Sequence, residues 1–525
     1  MLNLKKKSLT WALKHALRYG DTDVFPQPFE YSAIEFDWDA VSNSLAVEDI
    51  HNWITRPQRA LLAPKAKYAF RVVTQLDPLD YLLFTATLAE IAEELESKRV
   101  PTKDNRVFSY RVDLDDDGQF FDPAIGYREF LATSKQRLEG KNSPETVATA
   151  DIADFYSRIY HHRLENALIA STKSSPHVTG IKRFLSGWNN SETFGIPIGG
   201  SGSRLLAEIT LIDVDEALLA SGVDFIRYND DYRIFAKSKA EAYRNIAFLA
   251  DVLYRNHGLT LQPQKTAVYD AAEFQERFLS TPRDKELSAL HRSFEQLAEK
   301  LNLNNWYEPI EYDELEEEQQ EEVNALNLSG LLEEQIGAGD PDVSITRFVL
   351  RRLGQLRDVS ALDLVIDNID VLYPVLPDIV EYIKQLSFMN EKKRHEVGER
   401  LLGLLSDSIV SELPYHRMWL LEIFASTNLW DNDRKFLNLN AREPEYVCKR
   451  KLILAMGRAQ KKYWITTQWR NLFGHPNWSR RALIAAASCM PKDARTHWYR
   501  SVARQLDLLE TAVLRWAKAN PFESP

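Results

Sequence analysis

Apolar residues recur along this chain at two different periods, and the change from one to the other divides it. Residues 8–20 carry Trp11, Leu13 and Leu17 on a helical pattern that stops at Gly20. Pro26 and Pro28 make the next stretch extended, because proline fixes φ and disfavours helix before it. Residues 77–98 predict an amphipathic helix opening on Pro78. Val147–Ala150 reads as a small-residue strand that ends at Asp151 and turns helical through Leu164 and Leu168. After the glycine-rich run 194–204, Leu205, Leu206, Ile209 and Ile212 share one helical face. Phe225–Tyr228 and Tyr232–Phe235 are β-prone runs separated by Asn229, Asp230 and Asp231, which predicts a hairpin with adjacent carboxylates at its tip. Ile246, Leu249 and Leu253 mark a helix stopped by Gly258, and a strand at Leu259–Leu261 leads to Lys265.

Past residue 285 the β signal largely disappears. Leu287, Leu290, Phe294, Leu297 and Leu301 have helical spacing. Further helices are predicted at 348–356, 361–372, 379–386, 397–405, 418–424, 452–456 and 483–487, with breaks at Pro374, Pro377, Pro414, Pro476 and Pro491. The fold class is therefore α+β followed by an all-α helical-repeat-like domain. The boundaries are 1–285, a helical and acidic connecting segment 286–340, and 341–525.

At 525 residues and 44% hydrophobic content the chain has enough apolar material for more than one core. No apolar stretch approaches the roughly 18–20 residues of a membrane span, and the N-terminus lacks a secretory apolar core, so the expected location is the cytoplasm with no membrane partner. The two cysteines, Cys448 and Cys489, provide neither a disulfide framework nor a zinc set. Any metal would be held by carboxylates. The net charge of −11 belongs to one place: residues 301–335 hold eleven acidic residues and no Lys or Arg, and the remainder balances at 65 of each sign. Residues 441–505 carry fourteen Lys and Arg against three acidic residues, with Trp464, Trp469, Trp478 and Trp498 interleaved. That is the composition of a nucleic-acid surface, for which Lys449, Arg450, Lys451, Lys461 and Lys462 are the candidates, and equally of a solvated basic face over a helical core.

An Asn-Asp-Asp tip is by itself an ordinary turn. Adjacent carboxylates on a rigid hairpin also suit hard divalent cations, and a two-metal site needs a further aspartate, which Asp151 can supply. Other chemistry is absent or bland. The 199–202 glycine run has no following lysine for a phosphate loop, and Asp113–Gly118 fails as a calcium loop because its twelfth position is Ala124. His161 and His162 read as surface or packing residues and Asp154 as a helix start.

Taken in order, Asp151, Gly195-Ile-Pro-Ile-Gly199 with Ser203, Tyr228-Asn-Asp-Asp231 and Lys265 resemble the palm motifs of reverse transcriptases. Ile198 stands where that family usually has glutamine, which removes any hydrogen bond the glutamine would make. The segments 8–20, 77–98 and Val107–Arg111 are similar to the N-terminal region of the bacterial defence-associated (abortive-infection and unknown-group) reverse transcriptases, so the resemblance covers about residues 8–285. It implies a fingers and palm domain, an RNA-directed DNA polymerase or DNA nucleotidyltransferase, and a role in antiviral defence against phage. It implies a metal set of Asp151, Ile152, Asp230 and Asp231 for two Mg²⁺, with Mn²⁺ as a substitute, and Lys265 as an acid for the leaving group. Tyr156, with Phe155 beside it, would screen the sugar 2′ position, and Gly199 and Ser203 would contact nucleotide. Lys103, Arg106 and Arg111, on an expected β-ribbon, are candidates for the triphosphate or else exposed strand charges. The implied partners are dNTPs, an RNA template or associated non-coding RNA, and the DNA product, with a homo-oligomer left open. Synthesis is RNA-templated or template-independent, with Tyr446, Tyr463 and Tyr499 as candidate priming tyrosines. Two other readings stand beside it: an inactive nucleic-acid-binding homologue, and a retroelement polymerase.

Overall fold

Among the described residues, six strands form two sheets. β1 (Arg59–Ala66) and β2 (Ala69–Gln75) make a two-stranded ribbon, while β3 (Thr146–Asp151), β4 (Asp224–Tyr228), β5 (Asp231–Ala236) and β6 (Ala267–Asp270) make an antiparallel sheet of order β4-β5-β3-β6. The computed structural model describes residues 1–139, 143–189, 192–279, 327–430 and 435–522. The predicted helix at 287–301 and most of the acidic segment lie outside them. The chain divides into two units. The first is Met1–Asp23, Trp38–Arg59 and Thr74–Lys285, and the second is Val24–Asp37, Ala60–Val73 and Glu286–Pro525.

The four-stranded sheet belongs to the first unit. Val147 and its register partner Phe235 are buried with Phe108, Phe130, Ile226 and Phe274. Because side chains alternate across a strand, Asp151 and Asp231 emerge on that same face beyond this core. Helix Lys239–His257 packs on β3 and β5. The Ser238 hydroxyl accepts from the Glu241 N–H at its start, and Gly258 ends it at φ +67°, a conformation open to glycine without Cβ strain.

Three local expectations change here. Residues 77–98 form two helices, Pro78–Ala89 and Ala92–Glu96, and the first is buried on every side from Pro78 to Leu88 instead of amphipathic. Asp80 enters that interior because the indoles of Trp53 and Trp188 and the Arg56 N–H all donate to it. The predicted strand at Leu259–Leu261 is a single bridge between Leu261 and Ile152. The expected ribbon of Lys103, Arg106 and Arg111 is a 3₁₀ turn, Thr102–Asp104, followed by isolated bridges Val107–Arg227 and Val112–Phe121.

In the second unit, helices beginning at Val343, Leu376, Pro414, Tyr446, Asn477 and Leu508 each pack on the next of that series, with further helices between them. Prolines read as breaks sit in first turns: Pro377 and Pro414 start helices, where their missing N–H costs nothing. Val24, Phe25, Leu61, Ala63 and Val73 are buried in the core of this stack, which is why two segments from the 1–285 block belong to it.

Part of the basic, Trp-bearing stretch is interior. Trp478 and Trp498 are buried, and Trp469 stacks on Trp498 at 5.1 Å. Arg450 and Lys451 are 1% and 3% exposed, so neither can meet phosphate. Lys451 pairs with Glu422, and Arg450 and Arg481 both pair with Glu30, which is fully buried. Burial alone would raise the Glu30 pKa; the two guanidiniums override it and hold it at about 2, against an ordinary 4.5. The carboxylate is ionised in the fold at any pH above that. Its contribution, about 3 kcal/mol, is present above pH 4.5 and is lost as pH falls from there toward 2. Glu30→Gln should lower the neutral-pH melting temperature, because two buried cations lose their partner, and should flatten the acid limb of melting temperature against pH. An unchanged acid limb would show that Glu30 does not control it.

Candidate active site

A two-residue connection, Asn229-Asp230, joins β4 to β5, and the register places Asp231 directly opposite both Tyr228 and Asp151. The Ile152 N–H donates to the Asp230 carbonyl at 3.1 Å, and the Gln262 N–H to the Asp151 carbonyl at 2.7 Å. The aspartates are thus fixed by main chain at one end of the sheet. Lys265 Nζ pairs with Asp151, and Asn229 Nδ2 donates to Asp230 Oδ1 at 2.9 Å.

The turn is itself anchored from below. Asn229 has a left-handed backbone, φ +54°, which asparagine tolerates better than most residues. Its N–H donates to Ser109 Oγ at 2.7 Å, and its carbonyl accepts from Arg227 Nη1 at 2.9 Å. Arg227 is completely buried. It pairs with Asp215 at 2.5 Å and with Glu208 at 3.0 Å, and Glu208 in turn holds Arg99 at 2.6 Å and the Ser109 hydroxyl at 2.5 Å. Glu96 adds a second pairing for Arg99 and one for Arg111. Three cations and three anions balance, so the buried cluster carries no net charge. Sequence reasoning missed Arg99, Glu208, Asp215 and Arg227. The only available signal was an arginine inside an apolar strand run and acids on the apolar face of a helix.

The electrostatics at the sheet end run the other way. Burial, joined by like-charge repulsion from Asp151 and Asp230, raises the Asp231 pKa to about 6 against the opposing pull of Arg233 and Lys265. Burial would depress Lys265, but its pairing with Asp151 and the charges of Asp230 and Asp231 raise it. Among the described residues no group of three or more His, Cys, Asp or Glu side chains is arranged to chelate a metal as the side chains stand. Lys265 and Asn229 occupy carboxylate oxygens instead. The donor set nonetheless fits a hard divalent cation, since it offers only oxygens and its mutual repulsion is relieved by positive charge.

Other candidate positions sort by burial. Tyr156 is half-buried, with its hydroxyl 3.4 Å from Asn229 Oδ1, whereas Phe155 is buried beneath it and cannot meet a sugar. Gly199, at φ +124°, borders a cavity of about 200 Å³ with Ser201, Arg204 and Phe121, but Ser203 is 2% exposed and faces the interior. Arg111 is buried against Glu96, and Arg106 pairs with Asp224, so their charges are committed to protein carboxylates and not to a triphosphate. Lys103 is exposed. In the second unit Tyr446 and Tyr463 are exposed and Lys462 is accessible, while Lys449 and Lys461 are half-buried. Tyr499 is fully buried and donates to the Ile484 carbonyl at 2.9 Å, which removes it as a priming hydroxyl.

Residues 91–312 match the family described as reverse transcriptase (RNA-dependent DNA polymerase). The chain carries a reverse transcriptase domain. The matched segment contains the aspartates, the Asn229 turn and Lys265. No curated protein matches the sequence. Solved structures similar to the chain include apo telomerase from Candida tropicalis, at 10% identity and TM-score 0.33 over 91% of this chain and 73% of that one. Telomerase from Candida albicans in complex with the TWJ fragment of telomeric RNA aligns at 12% identity and TM-score 0.32 over 74% and 70%. A Candida tropicalis telomerase truncated from its C-terminal domain aligns at 12% identity and TM-score 0.32 over 46% of this chain, which spans 55% of that structure's length.

Proposed function

We propose that the reverse transcriptase domain is an active Mg²⁺-dependent DNA polymerase serving bacterial defence against phage, copying RNA or extending DNA without a template. The observation that carries the activity is the pairing of Asp151 opposite Asp231 at the end of one sheet, with Asp230 beside them and Lys265 within reach. Asp151, Asp230, Asp231 and the main chain at Ile152 would hold two Mg²⁺, which supply an activated primer hydroxyl and charge neutralisation for the triphosphate. Lys265 carries a proton at Nζ that can pass to the departing pyrophosphate, and its Asp151 contact keeps it charged. Tyr156 presents its ring beside the turn and excludes a 2′-hydroxyl by contact. The defence role is supported by the similarity of segments 8–20 and 77–98 to the defence-associated group. Priming from protein falls to Tyr446 or Tyr463, both exposed.

The purified chain, freed of nucleic acid by nuclease, should incorporate dNTPs with Mg²⁺ or Mn²⁺ and not with EDTA. Synthesis only on added RNA would establish copying, and synthesis without it would establish template independence. Tyr156→Ala should raise the ratio of rNTP to dNTP incorporation by at least about tenfold, the loss of one steric contact. An unchanged ratio would place the sugar screen elsewhere. Product freed from protein by denaturation alone would reject protein priming, and a chain inert under every metal would leave the nucleic-acid-binding reading.

A further inference from the structure

Away from the palm carboxylates, three side chains from two segments line up at the start of the helix Ser175–Trp188. Ser174 Oγ lies 2.5 Å from His177 Nδ1, and His177 Nε2 lies 2.9 Å from Glu90 Oε2, 87 residues away in sequence. An N-cap serine ordinarily turns its hydroxyl to the free N–H groups of the first helical turn. Ser174 makes no such bond. Its backbone, at φ −88° and ψ 79°, is close to an inverse γ-turn, across which the Ser175 N–H donates to the Lys173 carbonyl at 3.2 Å. The turn is also pinned from behind, where the Ser174 N–H donates to Thr172 Oγ1 and the Lys173 N–H to Glu94, each at 3.1 Å. Capping does not account for the direction of the hydroxyl; the imidazole does.

These are the parts of an activated nucleophile. Burial would raise the Glu90 pKa, but the bonds from His177, the Lys5 N–H and the Ser8 hydroxyl bring it below the ordinary value, so the carboxylate is ionised at neutral pH. An ionised carboxylate only accepts, so His177 Nε2 carries the proton and Nδ1 presents its lone pair to the Ser174 O–H. The hydroxyl thus has a base within bonding distance, and the base has a fixed tautomer. The positive end of the helix that begins at Ser175 favours negative charge developing on this oxygen. The His177 side chain is 13% exposed, whereas Ser174 is half-buried between exposed Lys173, Ser175 and Pro176, so the base is sheltered and the hydroxyl can be reached. We propose that Ser174, His177 and Glu90 form a second catalytic site, in which Ser174 Oγ takes the acyl group of a small activated ester and passes it to water. The bond from Oγ to the acyl carbon forms as the ester C–O bond breaks, and the hydroxyl proton moves to His177 Nδ1 and then to the departing alkoxide. Water next attacks the acyl-serine, its proton passing through Nδ1 to Oγ as the carboxylic acid leaves. Glu90 is a positioning residue and stays ionised throughout. An open turn offers the remote parts of a substrate little to bind, so the ester must bring its own good leaving group.

The test uses the full chain and reads chemistry that the palm carboxylates do not supply. A fluorophosphonate probe should phosphonylate Ser174, located by peptide mass spectrometry, and para-nitrophenyl acetate should release about one equivalent of nitrophenol in a burst before steady hydrolysis. Ser174→Ala should lose the label and the burst while incorporating dNTPs as the unaltered chain does. His177→Ala should slow labelling at least about a hundredfold, the share of a positioned general base. Glu90→Gln should slow it comparably with the melting temperature nearly unchanged. Its amide oxygen can keep the Lys5 N–H, while its nitrogen donates to His177 Nε2 and so turns a protonated Nδ1 toward Ser174. A merely structural Glu90 would give the opposite, lower stability with an unchanged labelling rate. Absence of an adduct at Ser174 in the folded chain overturns the proposal. So does labelling that proceeds at the same rate in His177→Ala and Glu90→Gln, or ester hydrolysis that survives Ser174→Ala.

Discussion

Asp230→Ala combined with Asp231→Ala is expected to abolish dNTP incorporation, by at least about a thousandfold, while the chain stays folded. The fold should survive because the carboxylates carry little of its stability: Asp231 is held above its ordinary pKa by burial and by Asp151 and Asp230, so its charge is disfavoured in the fold. The melting temperature should therefore hold or rise slightly. Asp151→Asn should lose a similar amount of activity, and the triple replacement should lose little more, because groups serving one site do not act additively. Primer extension and thermal melting, measured on the same preparations, check both halves. Incorporation retained by a folded double variant would remove this sheet end as the active site.

Arg227→Ala should be the most damaging single change to the reverse transcriptase domain itself. It leaves Asp215 and Glu208 buried with one cation fewer, a loss of about 3–5 kcal/mol and roughly 10 °C in melting temperature. It also removes the donor on the Asn229 carbonyl, so activity should fall in the fraction that stays folded. Arg227→Lys should recover little, since a lysine cannot make the forked pair with Asp215 and reach Glu208 and Asn229 as well. If Arg227→Ala melted within a degree or two of the unaltered chain, the cluster would not be what holds the turn. Double replacement of Arg227 and Asp215 by apolar residues should be less harmful than the sum of the single changes, because both charges leave together.

The chain's order of periodicities determined its division into a mixed α+β part and a helical stack, because strand and helix periods are written locally. Asn229, Asp230 and Asp231 between two β-prone runs were enough to place the hairpin, and Gly20 and Gly258 to end their helices. The meeting of Asp151 with Asp231 across a gap of eighty positions followed from motif order and was made geometric by strand register. What the local pattern could not contain was partnership. Arg450, Lys451 and Arg111 look like phosphate ligands in the sequence because their carboxylates, Glu30, Glu422 and Glu96, lie elsewhere in the chain. The four tryptophans of the basic stretch look like stacking platforms for the same reason, since a composition does not say which side of a helix is covered. The ribbon 59–75 is the converse case: alternation alone suggests a half-buried strand pair, and only tertiary structure shows which face meets a core and which leaves its apolar side chains half exposed. Local propensity is set by neighbours a few residues apart, whereas burial and charge pairing are set by contacts formed only when distant segments meet.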